Sequence, residues 1–386
     1  MRKSRQVTIK HIAHESCVSI ATVSNVLNGN VNEMSADTLL RVQDVIRRLN
    51  YRPNQIARGL VTRRTKTVGL ILAEIETPLF LQALTSIARD TREVGYGLLL
   101  LHARNVAEEQ QAVDLLLEKQ VDGIVFLSTS DLREGDHIRS LFEAQLPVVL
   151  INRAVRHEAV DQVNWDNEEG VYAAVDWLAR NGHRRIAHLR GPALRGTTQD
   201  RLRGYRRALE RHHIAFEPHY VQDGDYTAAP ELWRRSTHAL LSLQKPPTAI
   251  IAADDTVAAV VLETLREQGV DVPGEISIIG IDDQPSLSFL GLTTVKLPVV
   301  EACSHAIKLL IKRIADRHAE VQHMVLRCPL LERSTTAPAR GAALRKTASS
   351  RYVPRSAPAP ASRMCETRVG DADRCGNSLQ KQEGEG

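Results

Sequence analysis

The chain has 386 residues, 43% of them hydrophobic and 25% charged, with a formal net charge of +4. That length allows two or three well-packed domains, and no apolar run approaches the roughly 20 residues a membrane-spanning helix needs. Five cysteines (Cys17, Cys303, Cys328, Cys365 and Cys375) are scattered and odd in number, which argues against a disulfide framework or a structural metal. The basic start, Met1 to Gln6, leads into a polar helical pattern instead of an apolar signal segment, so the expected location is the cytoplasm.

The charge is unevenly placed. Residues 1–64 hold eleven Lys/Arg against four Asp/Glu, a surplus greater than that of the whole chain. A basic head on a near-neutral body suits phosphate binding, although a solvated basic surface fits the same count. Residues 1–51 read as short helices without a strand pattern. From Thr67 to about Thr336 apolar strands alternate with amphipathic helices: Val68–Leu72 then Leu79–Val94, Leu98–Leu101 then Ala107–Lys119, Ile124–Leu127 and Val148–Ile151. A second series follows: Ile186–Leu189 then Thr198–His212, Ala249–Ala252 then Asp255–Gln268, and Ile276–Ile281. Continuously apolar strands separated by helices predict an α/β fold of parallel sheets covered on both faces, here as two subdomains with a cleft between them. Residues 337–386, rich in Ala, Pro, Ser, Arg and Gly, have almost no aliphatic periodicity and are expected to form a disordered tail.

Within the head, Thr8 is placed to cap a helix whose inner face is Ile9, Ile12 and Ala13. Cys17-Val18-Ser19 predicts a tight turn, after which Ser19 caps a second helix with Val23, Val26 and Leu27 inward. Ile20, Ala21, Thr22 and Asn25 are then left outward on its first turns, where a docked helix-turn-helix meets the major groove. Ser35 opens a third helix with Leu39, Val42, Val45, Ile46 and Leu49 on its buried face. Periodicity alone also fits a three-helix bundle with no DNA to read.

The run T-I-K-x-I-A-x-x-x-x-V-S-x-A-T-V-S-x-V-L-N from Thr8, followed by Leu49-Asn50-Tyr51-Arg52-Pro53-Asn54-Gln55-Ile56-Ala57-Arg58-Gly59-Leu60, resembles the lactose/galactose/purine repressor (LacI/GalR) family. The resemblance extends to about Thr336. It implies a helix-turn-helix headpiece (1–52), a hinge helix and linker (53–66) and a two-lobed, periplasmic-binding-protein-like core (67–336). The first lobe would take about 67–166 and 299–328, the second about 167–298 and 329–336. It further implies that Ile20, Ala21 and Asn25 read base edges, with Asn25 supplying the hydrogen-bonding readout, while Thr8, Ser19, Ser24 and Asn28 hold phosphates. Asn54, Arg58 and Leu60 belong to the hinge, whose leucine enters the minor groove and kinks the DNA. Eight residues, Pro53–Leu60, are too few for a stable isolated helix, so the hinge should order only when paired in a homodimer on pseudo-palindromic operator DNA. Two departures from the family pattern are Cys17, where Gly or Asn is usual, and Gly59, which costs roughly 0.5–1 kcal/mol of helix stability.

The core carries further family segments, among them Thr77-Pro78-Leu79-Phe80, Val121-Asp122-Gly123-Ile124, Gly182-His183-Arg184-Arg185-Ile186, Gly204-Tyr205 and Gly280-Ile281-Asp282-Asp283. Ligands of such folds sit at the carboxyl ends of the strands, between the lobes. The resemblance places Leu79, Phe80, Asn152, Arg153, Arg195, Thr197, Arg201, Tyr226, Asp254 and Asp282 there, with Arg201 and Asp282 as donor fork and acceptor and Tyr226 as an aromatic platform. Leu79 and Phe80 also fit a core role, Arg195 a solvated loop, and Asp255 the cap of the helix after it. Three arginines facing two acids suggest a sugar, sugar acid or phosphorylated sugar as effector. No cofactor is expected. A transport protein with the same two-lobed core lacks a reason for the basic head. An enzyme finds no support, since the chain has no G-x-x-x-x-G-K-[ST] loop, no G-x-S-x-G and no metal cluster in its motifs.

Overall fold

The computed structural model describes residues 7–32, 34–52, 64–73, 77–127, 141, 145–153, 160–193, 195–225 and 230–340. The expected hinge residues Asn54, Arg58 and Leu60, the platform Tyr226 and everything after Arg340 lie outside them.

The head is built from α1 (Ile9–Glu15), α2 (Ile20–Asn28) and α3 (Ala36–Arg48). Thr8 opens α1, its backbone N–H donating to Nδ1 of His11 at 3.0 Å. In the turn after α1, the Val18 N–H reaches back to the Ala13 carbonyl (3.0 Å) and Cys17 takes a φ of 52°. That left-handed conformation costs a residue with a Cβ roughly 1–2 kcal/mol, a cost that Gly escapes and Asn offsets through local hydrogen bonds of its side chain. Ser19 caps α2, its Oγ accepting from the Thr22 N–H at 3.0 Å, and Ser35 caps α3 in the same way through Thr38. Ile12, Ala13, Val23, Val42 and Val45 close a small core with Val18, Leu27, Ile46 and Leu49 packed against it. Arg41 ties α3 to the turn by donating from Nε to the Ser16 carbonyl (3.0 Å).

The first lobe comprises β1 (Thr67–Leu72), α4 (Pro78–Glu93), β2 (Gly97–His102), α5 (Val106–Glu118), β3 (Gly123–Leu127), β4 (Val148–Ile151) and β5 (Asp161–Trp165). The second comprises α6 (Asn167–Arg180), β6 (Ile186–Arg190), α7 (Gly196–Arg211), β7 (Val221–Asp223), α8 (Pro230–Leu241), β8 (Ala249–Ile251), α9 (Asp255–Glu267), β9 (Ser277–Asp282) and β10 (Thr293–Lys296). The chain then returns to the first lobe through α10 (Val299–Ala315) and β11 (His323–Leu326), and ends in the second with β12 (Leu330–Leu331). One sheet runs β11-β5-β4-β3-β1-β2, the other β12-β10-β9-β8-β6-β7. Pairing is parallel except between β10 and β12, with Val68 opposite both Leu98 and Gly123 in the first sheet and Ile250 opposite Ile278 in the second. Three separate stretches of chain therefore cross between the lobes: β5 to α6, β10 to α10, and β11 to β12.

Two local contacts fix α7, the helix that carries Arg201. Helices α6 and α7 pack closely because position 204 is glycine; a Cβ there would lie 2.9 Å from the Glu168 carbonyl carbon and 3.1 Å from the Tyr172 nitrogen. Beneath α7, the fully buried His188 ring faces Tyr205 at 5.5 Å and sits 3.3 Å from the Ile251 carbonyl. Burial pushes its pKa down to about 4, assisted by the nearby Arg201 and Arg190 and opposed by Ile251 and Asp223.

The ordered chain runs past the expected limit at Thr336. The Ala337 N–H donates to Ser277 Oγ (3.0 Å), its carbonyl lies 2.9 Å from His183 Nε2, and the Ala339 N–H donates to the Asn181 carbonyl (2.9 Å). Backbone pairing of this kind does not depend on side-chain hydrophobicity, so composition concealed it.

Candidate DNA-reading face and ligand cavity

On α2, Ile20, Ala21, Asn25 and Asn28 are exposed and Ser24 is half-buried, while Val23 on the opposite side is fully buried. Spacings of one, four and five residues place them on one helix face. Ser19 and Ser24 are already engaged, the first with Thr22 and the second by accepting from Asn28 Nδ2 at 3.3 Å. Each hydroxyl retains capacity for a phosphate oxygen. Thr8 is exposed at the start of α1 with its hydroxyl 3.0 Å from His11 Nδ1. The face is polar at its rim and apolar at Ile20, which is 46% exposed.

In the core, a cavity of about 50 Å³ is lined by Thr77, Leu79, Phe80, Leu127, Asn152, Trp165, Arg195, Thr197, Arg201, Asp254, Asp282, Leu297 and Val299. These residues come from the carboxyl ends of β3, β4, β5, β8 and β9, the start of α4, the start of α7 and the β10–α10 crossing, so both lobes contribute. Its volume is below the roughly 300 Å³ of ordinary ligand pockets, so a ligand of that class enters only as the walls part.

A chain of amides links the two walls. The Asn167 Nδ2 donates to Asn152 Oδ1 (3.2 Å), while Asn167 Oδ1 accepts from Arg201 Nε (3.1 Å). Arg201 also donates from Nη1 to the Ala253 carbonyl (2.8 Å). Asn152 and Asp282 hold φ angles of 52° and 122°, a region that favours glycine and that non-glycine residues occupy at a cost of about 1–3 kcal/mol. Three carboxylates gather on the second lobe. Asp254 Oδ1 accepts from the Val257 N–H (2.7 Å) and is the N-cap of α9. Asp255, expected to be that cap, is instead the first residue of the helix, its carboxylate buried and held by the Thr294 hydroxyl (2.6 Å) and the Gln284 N–H (2.8 Å). Burial, with repulsion from Asp254 and Asp283, raises the Asp255 pKa to about 6 against its hydrogen bonds. Asp282, bonded to Gln284 Nε2 at 3.2 Å, is raised well above the ordinary carboxylate range, by burial first and then by Asp254 and Asp255.

Of the predicted ligand contacts, Leu79, Phe80, Asn152, Arg195, Thr197, Arg201, Asp254 and Asp282 meet at this cavity. Arg153 does not. Its guanidinium turns away to Glu109, with Nη1 at 3.0 and 2.9 Å from the two carboxylate oxygens, both side chains fully buried. A charge at that depth is tolerable only when paired, and the partner lies 44 residues earlier on α5, beyond the reach of any local pattern. Sequence reasoning also missed Thr77, Leu127, Trp165, Leu297 and Val299 on the lining, and Asn167 and Gln284, which hold lining residues in place. Asp166-Asn167-Glu168-Glu169 does carry a helix-start signature at the end of a strand, the one local signal that marks Asn167.

A helix-turn-helix head followed by two Rossmann-like lobes around a lined cavity defines a ligand-responsive DNA-binding regulator. Residues 8–54 match the model of bacterial regulatory proteins of the lacI family, and residues 175–336 that of the periplasmic binding protein-like domain. Catabolite control protein A of Priestia megaterium is 33% identical over 79% of this chain and 92% of its own length. The HTH-type transcriptional repressor PurR of Actinobacillus pleuropneumoniae serotype 3 is 31% identical over 80% and 91%. The chain belongs to the LacI family, and these relatives are transcriptional regulators, not enzymes. Among solved structures, a complex of the transcriptional regulator CelR with cellobiose shares 28% identity with a TM-score of 0.64, over 85% of this chain and 99% of that one. The lac repressor dimer bound to operator and the anti-inducer ONPF, at 24% identity, shares the fold with a TM-score of 0.77 over 86% and 100%.

Proposed function

We propose that this regulator is a cytoplasmic homodimer that represses from a pseudo-palindromic operator and is controlled by a saccharide or saccharide derivative bound between its lobes. The observation that carries this reading is the Asn152–Asn167–Arg201 chain beside Asp254 and Asp282, which gathers hydrogen-bonding groups from both lobes at a cavity partly walled by Leu79, Phe80, Leu127, Leu297 and Val299. Thr8, Ser19, Ser24 and Asn28 would hold phosphates, Ile20, Ala21 and Asn25 would read bases, and 53–66 would serve as hinge. Leu81 on α4 and Phe289 after β9 are 62% and 79% exposed in the single chain, apolar surface that a second copy would cover.

The test is operator binding by fluorescence anisotropy, with the operator found by selection and a panel of sugars, sugar acids and sugar phosphates added. The expected result is a change in operator affinity with one ligand, lost in Asp282→Ala, because coupling of about 1–3 kcal/mol is typical. A ligand response that survives Asp282→Ala in full refutes the cavity as the effector site. Binding should also fall steeply with salt, since the head works through released counterions.

A further inference from the structure

We propose that Trp165 is a ligand-binding residue of the cavity, its indole N–H donating to an oxygen of a neutral saccharide whose hydroxyls hydrogen-bond in turn to Asp254 and Asp282. This rests on the cavity being the effector site. Trp165 ends β5, is 4% exposed, and lines the cavity. Its Nε1 has no hydrogen-bond acceptor among the described residues. Buried indole N–H groups ordinarily find a partner, because leaving one unmade forfeits its hydration with nothing in return. Thr77 repeats the pattern: its hydroxyl is buried and unpartnered among the described residues, and it lines the same cavity from the start of α4. Two orphaned polar atoms on one wall are best explained by a ligand that completes them.

The opposite wall has the complementary character. Asp254 and Asp282 present carboxyl oxygens, crowded by Asp255 behind them, and each is held by at least one protein donor. A ligand hydroxyl suits them in either protonation state, because it donates to a carboxylate oxygen and accepts from a protonated one. Hydroxyls do so without adding charge, whereas a phosphate or carboxylate would bring a further negative group against three buried acids. Of the three arginines that suggested an acidic ligand, Arg153 is spent on Glu109, which leaves Arg195 and Arg201 on the lining with Asp254 and Asp282, and Asp255 behind them. The ligand is thus oriented, with an acceptor toward Trp165 and Thr77 and hydroxyls toward the acids.

The chain has three tryptophans, which makes the indole directly observable. Full-length protein labelled with 15N at the indole nitrogens is titrated with D-glucose, D-ribose and cellobiose, and with glucose 6-phosphate and gluconate as the anionic arm. The expected result is that a neutral saccharide binds and shifts the Trp165 N–H resonance, assigned by its loss in Trp165→Phe. That variant should bind the same saccharide roughly tenfold more weakly. Wild-type data alone settle the contact if the variant fails to fold: a bound saccharide that leaves all three indole resonances in place overturns the assignment. Tighter binding of the phosphate or the acid overturns the neutral class. No binding by any of the five probes overturns the saccharide reading itself, and the role of Trp165 falls with it.

Discussion

Substituting Gly204 by alanine tests whether the packing of α6 on α7 sets the geometry of the ligand cavity. The new Cβ would stand 2.9 Å from the Glu168 carbonyl carbon and 3.1 Å from the Tyr172 nitrogen. Carbon–carbon contact is comfortable at about 3.5–4.0 Å, and the Glu168 carbonyl oxygen is nearer still, so the helices must separate by more than the roughly 0.6–1 Å that the carbon contact alone requires. All three contacting atoms, the Glu168 carbonyl oxygen and carbon and the Tyr172 nitrogen, are backbone, hence no rotamer change relieves the clash. Overpacking of this kind costs about 1–3 kcal/mol, which for a core of this size lowers the melting temperature by about 3–10 °C. The functional effect comes from position. Arg201 lies one turn before Gly204 on α7, and Asn167 immediately precedes Glu168 on α6. A separation of that size stretches their 3.1 Å bond beyond hydrogen-bonding range and loosens the link to Asn152. Ligand affinity should fall about tenfold, in line with the loss of one charge-assisted bond. Calorimetry and titration of the purified variant measure both quantities. Gly269→Ala is the control, since a Cβ there meets nothing within 4 Å but the φ of 69° strains the backbone; it should lower stability with ligand affinity retained. A Gly204→Ala protein with native stability and native ligand affinity would refute the reasoning.

Three further outcomes are expected. Asn25→Ala should cost about 1–3 kcal/mol at one base pair per half-site and relax the preference there, as read by operator selection; an unchanged base profile would make Asn25 a phosphate or packing residue. Removing one partner of the buried Arg153–Glu109 pair by Arg153→Ala should destabilise the fold by about 3–5 kcal/mol in denaturant unfolding, while the double substitution Arg153→Met with Glu109→Leu recovers most of that loss. For pH, His188 has a native pKa of about 4 against an unfolded value of 6.5, so its stabilising contribution is present above 6.5 and lost as the pH falls toward 4. The stability of the wild type relative to His188→Asn should therefore drop by about 3 kcal/mol between pH 7 and pH 4, and a constant difference would mean that the ring is not held neutral.

The parts of the fold legible in the sequence are those fixed locally. Thr8, Ser19 and Ser35 announce helix starts because their hydroxyls or backbone groups act within three residues. β7, β10, β11 and β12 are not among the expected strands, but β1 to β4, β6, β8 and β9 announce themselves by continuous apolar runs. β5 does not. Its sequence, Asp161-Gln162-Val163-Asn164-Trp165, is largely polar, yet it is buried because Arg313 from α10 and the Gln322 N–H, both more than 150 residues away, satisfy Asp161. The same distinction divides the cavity. Asn152, Asp254 and Asp282, projected onto it by the ends of apolar strands, were found, whereas Trp165 ends β5, Asn167 comes just after it, and both share its concealment. The role of Arg153 depended on Glu109.

The three crossings between lobes have a consequence for how a ligand can act. Two bodies joined by one tether can swing, slide and twist; joined by three neighbouring strands of chain they retain little beyond one opening angle. A ligand in the cavity then chooses a position along a single coordinate, and all ligands compete over the same one. Compounds that weaken operator binding and compounds that strengthen it need not touch different residues. They need only favour different values of that angle, each by no more than its difference in affinity between the two arrangements. Changes of ligand specificity in such a protein can therefore reverse the sign of its response without any change at the DNA.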